Sequence, residues 1–333
     1  MVSPKLVLMM VQLRLSILHN HWQSDPRYRS AQLGGHDIYA GSVRGHLWEC
    51  EATKSGKMGA HRFLILPGFT EFCEKYAHVA QKMTDMGHDC LIIDWPGQGR
   101  SGHHGTTHEM VHCDKFSDQI RALQQLIKVA KWHRGTLHVL AHSMGGHLAL
   151  LAADRLSDRI GTVALSAPMI LPCPRPVWLI RLLGIALGIA GRHKHFAPFN
   201  KVPTLAQVRD GFEGNILTTD KAGYDWQTRW FDDMPELRRY GASVGWVREA
   251  YRSAARYSTN PDFLVQLKMP MLILSATAEQ VVSKRKIALA ANHLPNADLI
   301  SIKDAKHELF NETLEIDNII WDHLKRFWDR CGL

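Results

Sequence analysis

Residues 136–151 read TLHVLAHSMGGHLALL, and this stretch decides how the rest of the chain is read. Leu137, Val139 and Leu140 make the short apolar run of a buried strand. Ala141-His142-Ser143-Met144-Gly145 follows, and after it apolar residues recur at helical spacing. A strand, a sharp turn and a helix with a serine at the apex strain the serine backbone and lift its hydroxyl clear of the sheet. Strand and helix nearly touch at such a turn, so the residues two before and two after the serine must be small. Ala141 and Gly145 meet that need, with alanine where the G-x-S-x-G pattern has glycine. The alternative is a Ser-Gly turn without chemistry.

Working outward, residues 37–51 read as strand material through Ile38, Tyr39, Val43, Leu47 and Trp48. Residues 61–66 (HRFLIL) are a buried strand ended by Pro67-Gly68. Tyr76, Val79, Met83 and Met86 place a helix over 71–86, closed by Gly87. Residues 89–94 (DCLIID) form the next strand, broken by Pro96-Gly97 and a glycine-rich loop to Gly105. Residues 116–132 have the apolar stripe of an amphipathic helix, and 161–167 (GTVALSA) form another strand. This alternation predicts an α/β fold, a parallel sheet with helices on both faces. Right-handed crossovers gather the strand C-termini at one edge, where open sheets bind ligands. The Ser143 turn and the Pro67-Gly68-Phe69 turn both sit there.

The alternation stops after residue 168 and resumes with a strand at 271–275 (MLILS), a helix over 282–294, a strand over 298–302 and a closing helix over 313–328. Between them lie prolines, aromatics and helical stretches without a strand pattern. Residues 36–168 and 269–333 are therefore read as the core, and 169–268 as a helical lid inserted above the strand edge. Residues 1–20 are apolar but interrupted by Lys5 and Arg14, which argues against a signal peptide or a membrane span. Residues 1–35 are read as a poorly ordered leader, with an amphipathic interfacial anchor as the alternative.

Of the 333 residues, 45% are hydrophobic and 22% charged, which is an ordinary globular balance. The formal charge is +8, but the basic residues are scattered without interleaved aromatics, which argues against nucleic-acid binding. The 6 cysteines (Cys50, Cys73, Cys90, Cys113, Cys173 and Cys331) form no C-x-x-C pair and read as free thiols in a reducing cytoplasm.

A serine hydroxyl is a weak nucleophile that needs a base, and the base needs a third group to orient it. In this fold class the partners follow in the order serine, acid, histidine. Glu279, after the strand MLILS, and His307, after the last strand, are the candidate acid and base. An acyl transfer also needs two N–H donors for the tetrahedral oxyanion. Met144, just after the serine, supplies one, and Phe69, after the flexible Gly68, the other. His108-Glu109-Met110-Val111-His112 matches the zinc pattern H-E-x-x-H, which works only on a helix with a third ligand. Its place after the loop GQGRSGHHG favours a polar loop near the site mouth.

Within the insertion, residues 177–190 (VWLIRLLGIALGIA) read equally well as an acyl-chain groove, a membrane-touching face or a packed helix. Trp178, Trp226, Trp230 and Trp246 are candidate substrate-binding residues, with internal packing of the insertion as the other reading.

LILPGFTEFCEKY, DCLIIDWPGQGRSG, VLAHSMGGHLAL, ILSATAEQVVS and DAKHELFNE, in that order, resemble the α/β-hydrolase superfamily. The branch is that of lysophospholipases and monoacylglycerol lipases (serine-aminopeptidase-like hydrolases), and the likeness runs over about 37–328. NILTTD and ASVGWVREAYRSA resemble its bacterial lysophospholipases. The resemblance implies a mostly parallel central sheet flanked by helices, with a helical lid. It also implies hydrolysis of carboxylic esters of single-chain lipids, with no metal or organic cofactor. The expected partner is a lipid ester, with peripheral contact to the inner membrane surface. Three positions depart from the family: Pro67 for histidine, Ala141 for glycine and Glu279 for aspartate. The extra methylene of Glu279 moves its carboxylate by about one bond length, an error that can cost rate. The alternatives are hydrolysis of another acyl group, as by an esterase or aminopeptidase-like enzyme, and a non-catalytic lipid-binding relative.

Overall fold

The computed structural model describes residues 21–29, 34–56, 61–172, 187, 190–198 and 202–333. Its strands are β1 (His36–Ala40), β2 (Val43–Trp48), β3 (Arg62–Leu66), β4 (Asp89–Ile93), β5 (Met110–Val111), β6 (Leu137–His142), β7 (Ile160–Ser166), β8 (Gly241–Ala242), β9 (Met271–Ala276) and β10 (Ala297–Ile302). Eight of them form one sheet in the order β1-β2-β4-β3-β6-β7-β9-β10. From β4 to β10 every pairing is parallel, while β2 lies antiparallel to both β1 and β4.

The interior strands are continuous apolar runs because helices cover both faces of the sheet. On β3 the side chains still alternate: Leu64 and Leu66 enter one core and Phe63 and Ile65 the other. Phe116–Val129 and Met144–Arg155 close the first face through Leu123, Leu126 and Leu148. Ala77–Asp85 and the closing helix Leu314–Arg330 cover the second through Met83, Leu324 and Trp328.

The strand material read over residues 37–51 forms the hairpin β1–β2, because Gly41, with φ at 64°, turns the chain between Ala40 and Val43. Two expectations are corrected. The insertion does contain a strand: β8 pairs in parallel with β5, and two residues are too few to leave a periodic signal. The leader is not loose over residues 21–29. His21–Ser24 and Pro26–Arg29 are helical, and Arg27 and Tyr28 are buried. Residues 1–20 and 30–33 lie outside the described residues.

Between β7 and β9 the chain carries helices at Leu205–Arg209, Lys221–Asp233, Val244–Arg256 and Pro261–Leu264. Most of 177–190 lies outside the described residues. Among the described residues no helix is long and apolar enough to cross a membrane. Cys50, Cys73, Cys90, Cys113 and Cys331 are free thiols.

Candidate active site

The turn between β6 and the helix Met144–Arg155 holds Ser143 at φ 50° and ψ −116°, a conformation that non-glycine residues rarely adopt. The surroundings enforce it. Ser143 N–H donates to the Ser166 carbonyl at 3.0 Å, and the Ser143 carbonyl accepts from Gly146 at 2.9 Å and Met169 at 2.8 Å. Residue 145 must be glycine, since a Cβ there would lie 2.0 Å from the Leu66 carbonyl. Ala141 is buried in register opposite Leu66, where strand and helix crowd together.

The loops after β9 and β10 bring Glu279 and His307 to this turn. His307 Nε2 lies 2.8 Å from Ser143 Oγ, and His307 Nδ1 lies 2.7 Å from Glu279 Oε2. All three residues are buried. The other carboxylate oxygen, Oε1, accepts from the Val281 and Val282 amides at 2.7 and 3.2 Å. Burial alone would raise the Glu279 carboxyl. The His307 hydrogen bond and charge, with the two amides, outweigh it and hold the group below its ordinary value. An ionised Glu279 can only accept, so its bond to His307 calls for an N–H at Nδ1 and leaves Nε2 to accept from the serine. Glutamate thus spans from the 281–282 amides to the imidazole, so its extra methylene does not break the chain of hydrogen bonds.

The turn after β3 lies against the serine: a Cβ on Gly68 would meet Ser143 Cβ at 3.1 Å. Its polar groups are tied one by one. Trp95 Nε1 donates to the Pro67 carbonyl at 2.8 Å, and Gly68 N–H donates to Glu71 Oε2. Gln98 Nε2 donates to the Gly68 carbonyl at 3.1 Å, while Gln98 Oε1 accepts from Thr70 N–H at 2.8 Å. The Thr70 hydroxyl donates to the Phe69 carbonyl at 2.5 Å. Among the described residues, the N–H groups of Phe69 and Met144 find no protein acceptor. Pro67 costs no donor here, because it contributes only its carbonyl.

The profile of the family described as serine aminopeptidase, S33 matches residues 60–314. The chain belongs to the serine aminopeptidase S33 family. It is 29% identical over 279 residues to lysophospholipase L2 of Escherichia coli K12, covering 80% of each chain. It is 22% identical over 257 residues to monoglyceride lipase of Rattus norvegicus, covering 76% of this chain and 77% of the relative. A crystal structure of a soluble variant of monoglyceride lipase from Saccharomyces cerevisiae superposes with a TM-score of 0.68 at 15% identity, over 89% of this chain and 96% of that one. At that identity the likeness shows the fold alone, the α/β-hydrolase fold.

In this S33 chain a buried ionic cluster lies behind the histidine. Lys75 Nζ pairs with Glu71 Oε1 at 2.6 Å and Glu308 Oε1 at 2.7 Å, and Tyr76 O–H donates to Glu71 Oε2 at 2.6 Å. Burial pushes the Glu71 carboxyl up, but Lys75 and His142 bring it down to about 2. His142, whose ring centroid lies 4.8 Å from that of His307, is lowered to about 4 by burial. Glu71 and Lys75 lie within LILPGFTEFCEKY, and their i, i+4 spacing is the sequence signal for this pair.

The candidate tryptophans divide. Trp226 is fully buried, stacked on Tyr28 at 4.9 Å and donating to the Lys75 carbonyl at 2.9 Å, so it is a core residue and not a groove wall. Trp230 is buried under Arg229 and is also packing. Trp246 lies 4.4 Å from Phe69, beside the serine turn. Trp178 lies outside the described residues. The H-E-x-x-H stretch carries β5 instead of a helix. His108 bonds to the Glu236 carbonyl, and His112 is buried on Ser243, so the two histidines share no helix face.

Proposed function

We propose that this chain is a serine hydrolase that cleaves carboxylic esters of single-chain lipids through an acyl-enzyme. The observation that carries the reading is the continuous hydrogen-bond chain from Glu279 through His307 to Ser143. His307 Nε2 takes the serine proton as Oγ attacks the ester carbonyl, and Glu279 steadies the imidazolium that forms. The Phe69 and Met144 amides receive the tetrahedral oxyanion, with the helix N-terminus behind Met144 adding its positive end. His307 then protonates the departing glycerol oxygen, and water repeats the sequence to release the fatty acid.

The substrate class rests on the relatives named lysophospholipase L2 and monoglyceride lipase. We read residues 169–268 as a lid over the strand edge, with Trp246 on the acyl-chain side next to Phe69.

The test uses lysophosphatidylcholine, lysophosphatidylethanolamine, a monoacylglycerol and a short p-nitrophenyl ester. Ser143→Ala should lower turnover of all that the wild type cleaves by at least about 10⁴-fold, with an unchanged melting temperature. A fluorophosphonate should label the wild type at Ser143. Turnover by Ser143→Ala at the wild-type rate sinks the reading, and absence of labelling with no turnover points to a lipid binder instead.

A further inference from the structure

We propose that Gln98 is the positioning residue of the oxyanion turn, and that Arg239 of the insertion anchors the loop that carries it. The inference rests on the reading of Ser143 as nucleophile and of the Phe69 N–H as oxyanion donor.

Five polar groups flank the Phe69 N–H in sequence: the Pro67 carbonyl, the Gly68 N–H, the Gly68 carbonyl, the Phe69 carbonyl and the Thr70 N–H. All five are bound. Gln98 holds two of them, one on each side of residue 69. Thr70 N–H can only donate, so the acceptor oxygen of Gln98 must face it and the amide nitrogen must face the Gly68 carbonyl. The planar side-chain amide thus grips the turn as a second backbone would. Asparagine is one carbon shorter, glutamate has no donor when ionised, and neither reproduces both bonds. Thr70 sits at φ 65°, unusual for a β-branched residue, and such a conformation persists only where its surroundings hold it. The Thr70–Gln98 bond is such a hold.

Gln98 is itself immobilised. It is 1% exposed, its N–H donates to the Trp95 carbonyl at 2.8 Å, and its carbonyl accepts from Ser101 at 3.0 Å. The glycine-rich loop around it is closed from the other side by Arg239, buried at 2% exposure. The guanidinium donates to the carbonyls of Gly97 at 3.4 Å, Gly99 at 3.2 Å and Gly102 at 3.0 Å. A contiguous set of bonds therefore runs from the insertion through Arg239, the 97–102 loop and Gln98 to the Phe69 amide. The arrangement gives the loop GQGRSG a task that the proton chemistry leaves unassigned. It holds a donor where charge develops, and an error of about 1 Å there costs on the order of 100-fold.

The test compares wild type, Gln98→Met, which keeps the volume, and Gln98→Ala. Rates on p-nitrophenyl butyrate are expressed per Ser143 titrated by a fluorophosphonate, so unfolded protein does not count. A long-chain alkyl trifluoromethyl ketone is the second probe. Its hemiketal with Ser143 carries an oxyanion that needs the same donors. For both variants kcat/KM should fall about 10- to 100-fold, mostly in kcat, and affinity for the ketone should fall by the same factor. The wild-type kcat in Gln98→Met overturns the proposal, and so does a fall in kcat with unchanged ketone affinity. Turnover by Ser143→Ala would instead remove the underlying reading, so the two failures are distinguishable.

Discussion

Glu279 shows how much depends on which atom faces which partner. Its Oε1 is held by the Val281 and Val282 amides, and these can only donate. In Glu279→Gln the amide oxygen must stay there, which turns the new N–H₂ toward His307 Nδ1. That nitrogen must then accept, the imidazole proton moves to Nε2, and Nε2 can no longer take the serine proton. We expect kcat to fall by about 10³- to 10⁴-fold, with KM and the melting temperature close to wild type; a kcat within tenfold of wild type would mean that the carboxylate does not set the tautomer. The positions of Ser143, Glu279 and His307 were legible in the sequence because each lies at, or in the loop just after, the end of a strand with its own apolar residues. Gln98, Glu71 and Lys75 were not, because they act on backbone groups or charges of other loops. Nothing at position 98 announces that its amide will meet residues 68 and 70.

At the scale of elements, the segment 21–29 works as a strap. Arg27 bonds Asp25 at 2.6 Å and Asp220 at 2.5 Å, and also reaches the Glu312 carbonyl. Asp220 caps the helix Lys221–Asp233, and Glu312 lies in the loop that follows His307. That helix packs so closely on the loop that a Cβ on Gly223 would lie 2.0 Å from the Asn311 carbonyl. The strap, the insertion helix and the histidine loop therefore form one packed unit. Arg27→Ala leaves two partly buried aspartates without their cation and should cost roughly 3 kcal/mol, read from the urea midpoint. An unchanged midpoint would mean that the strap contributes nothing. The sequence did not disclose this unit because helices of four residues have no period. The same shortness hid β5 and β8, whereas β3, β4, β6 and β9 were found because both-face burial demands unbroken apolar runs.

At the scale of the whole molecule, the sheet and its layers followed from the alternation of periods, but the fate of the 20 histidines did not. A count cannot say which rings the layers will enclose. His78, His142 and His147 sit in different parts of the core, and burial lowers them from 6.5 to about 3, 4 and 3. His147 stays neutral between Ser253 at 2.7 Å and Ser258 at 3.0 Å, joining the helix after the serine turn to the insertion. Between about pH 6.5 and 4 the unfolded chain takes up protons at these positions and the folded chain does not. Stability must then fall as pH falls, each ring contributing up to about 1.4 kcal/mol per pH unit. Below about pH 4.5 the depressed carboxyls of Glu71 and Glu279 act in the same direction. Glu74, held up by burial and by Asp94, acts in the opposite one. One raised carboxyl cannot offset three enclosed imidazoles, so the urea midpoint should be level above pH 7 and drop steeply from pH 6 to 4.5. A midpoint that stayed level over that interval would mean that the three rings are protonated, or reach water, in the folded state.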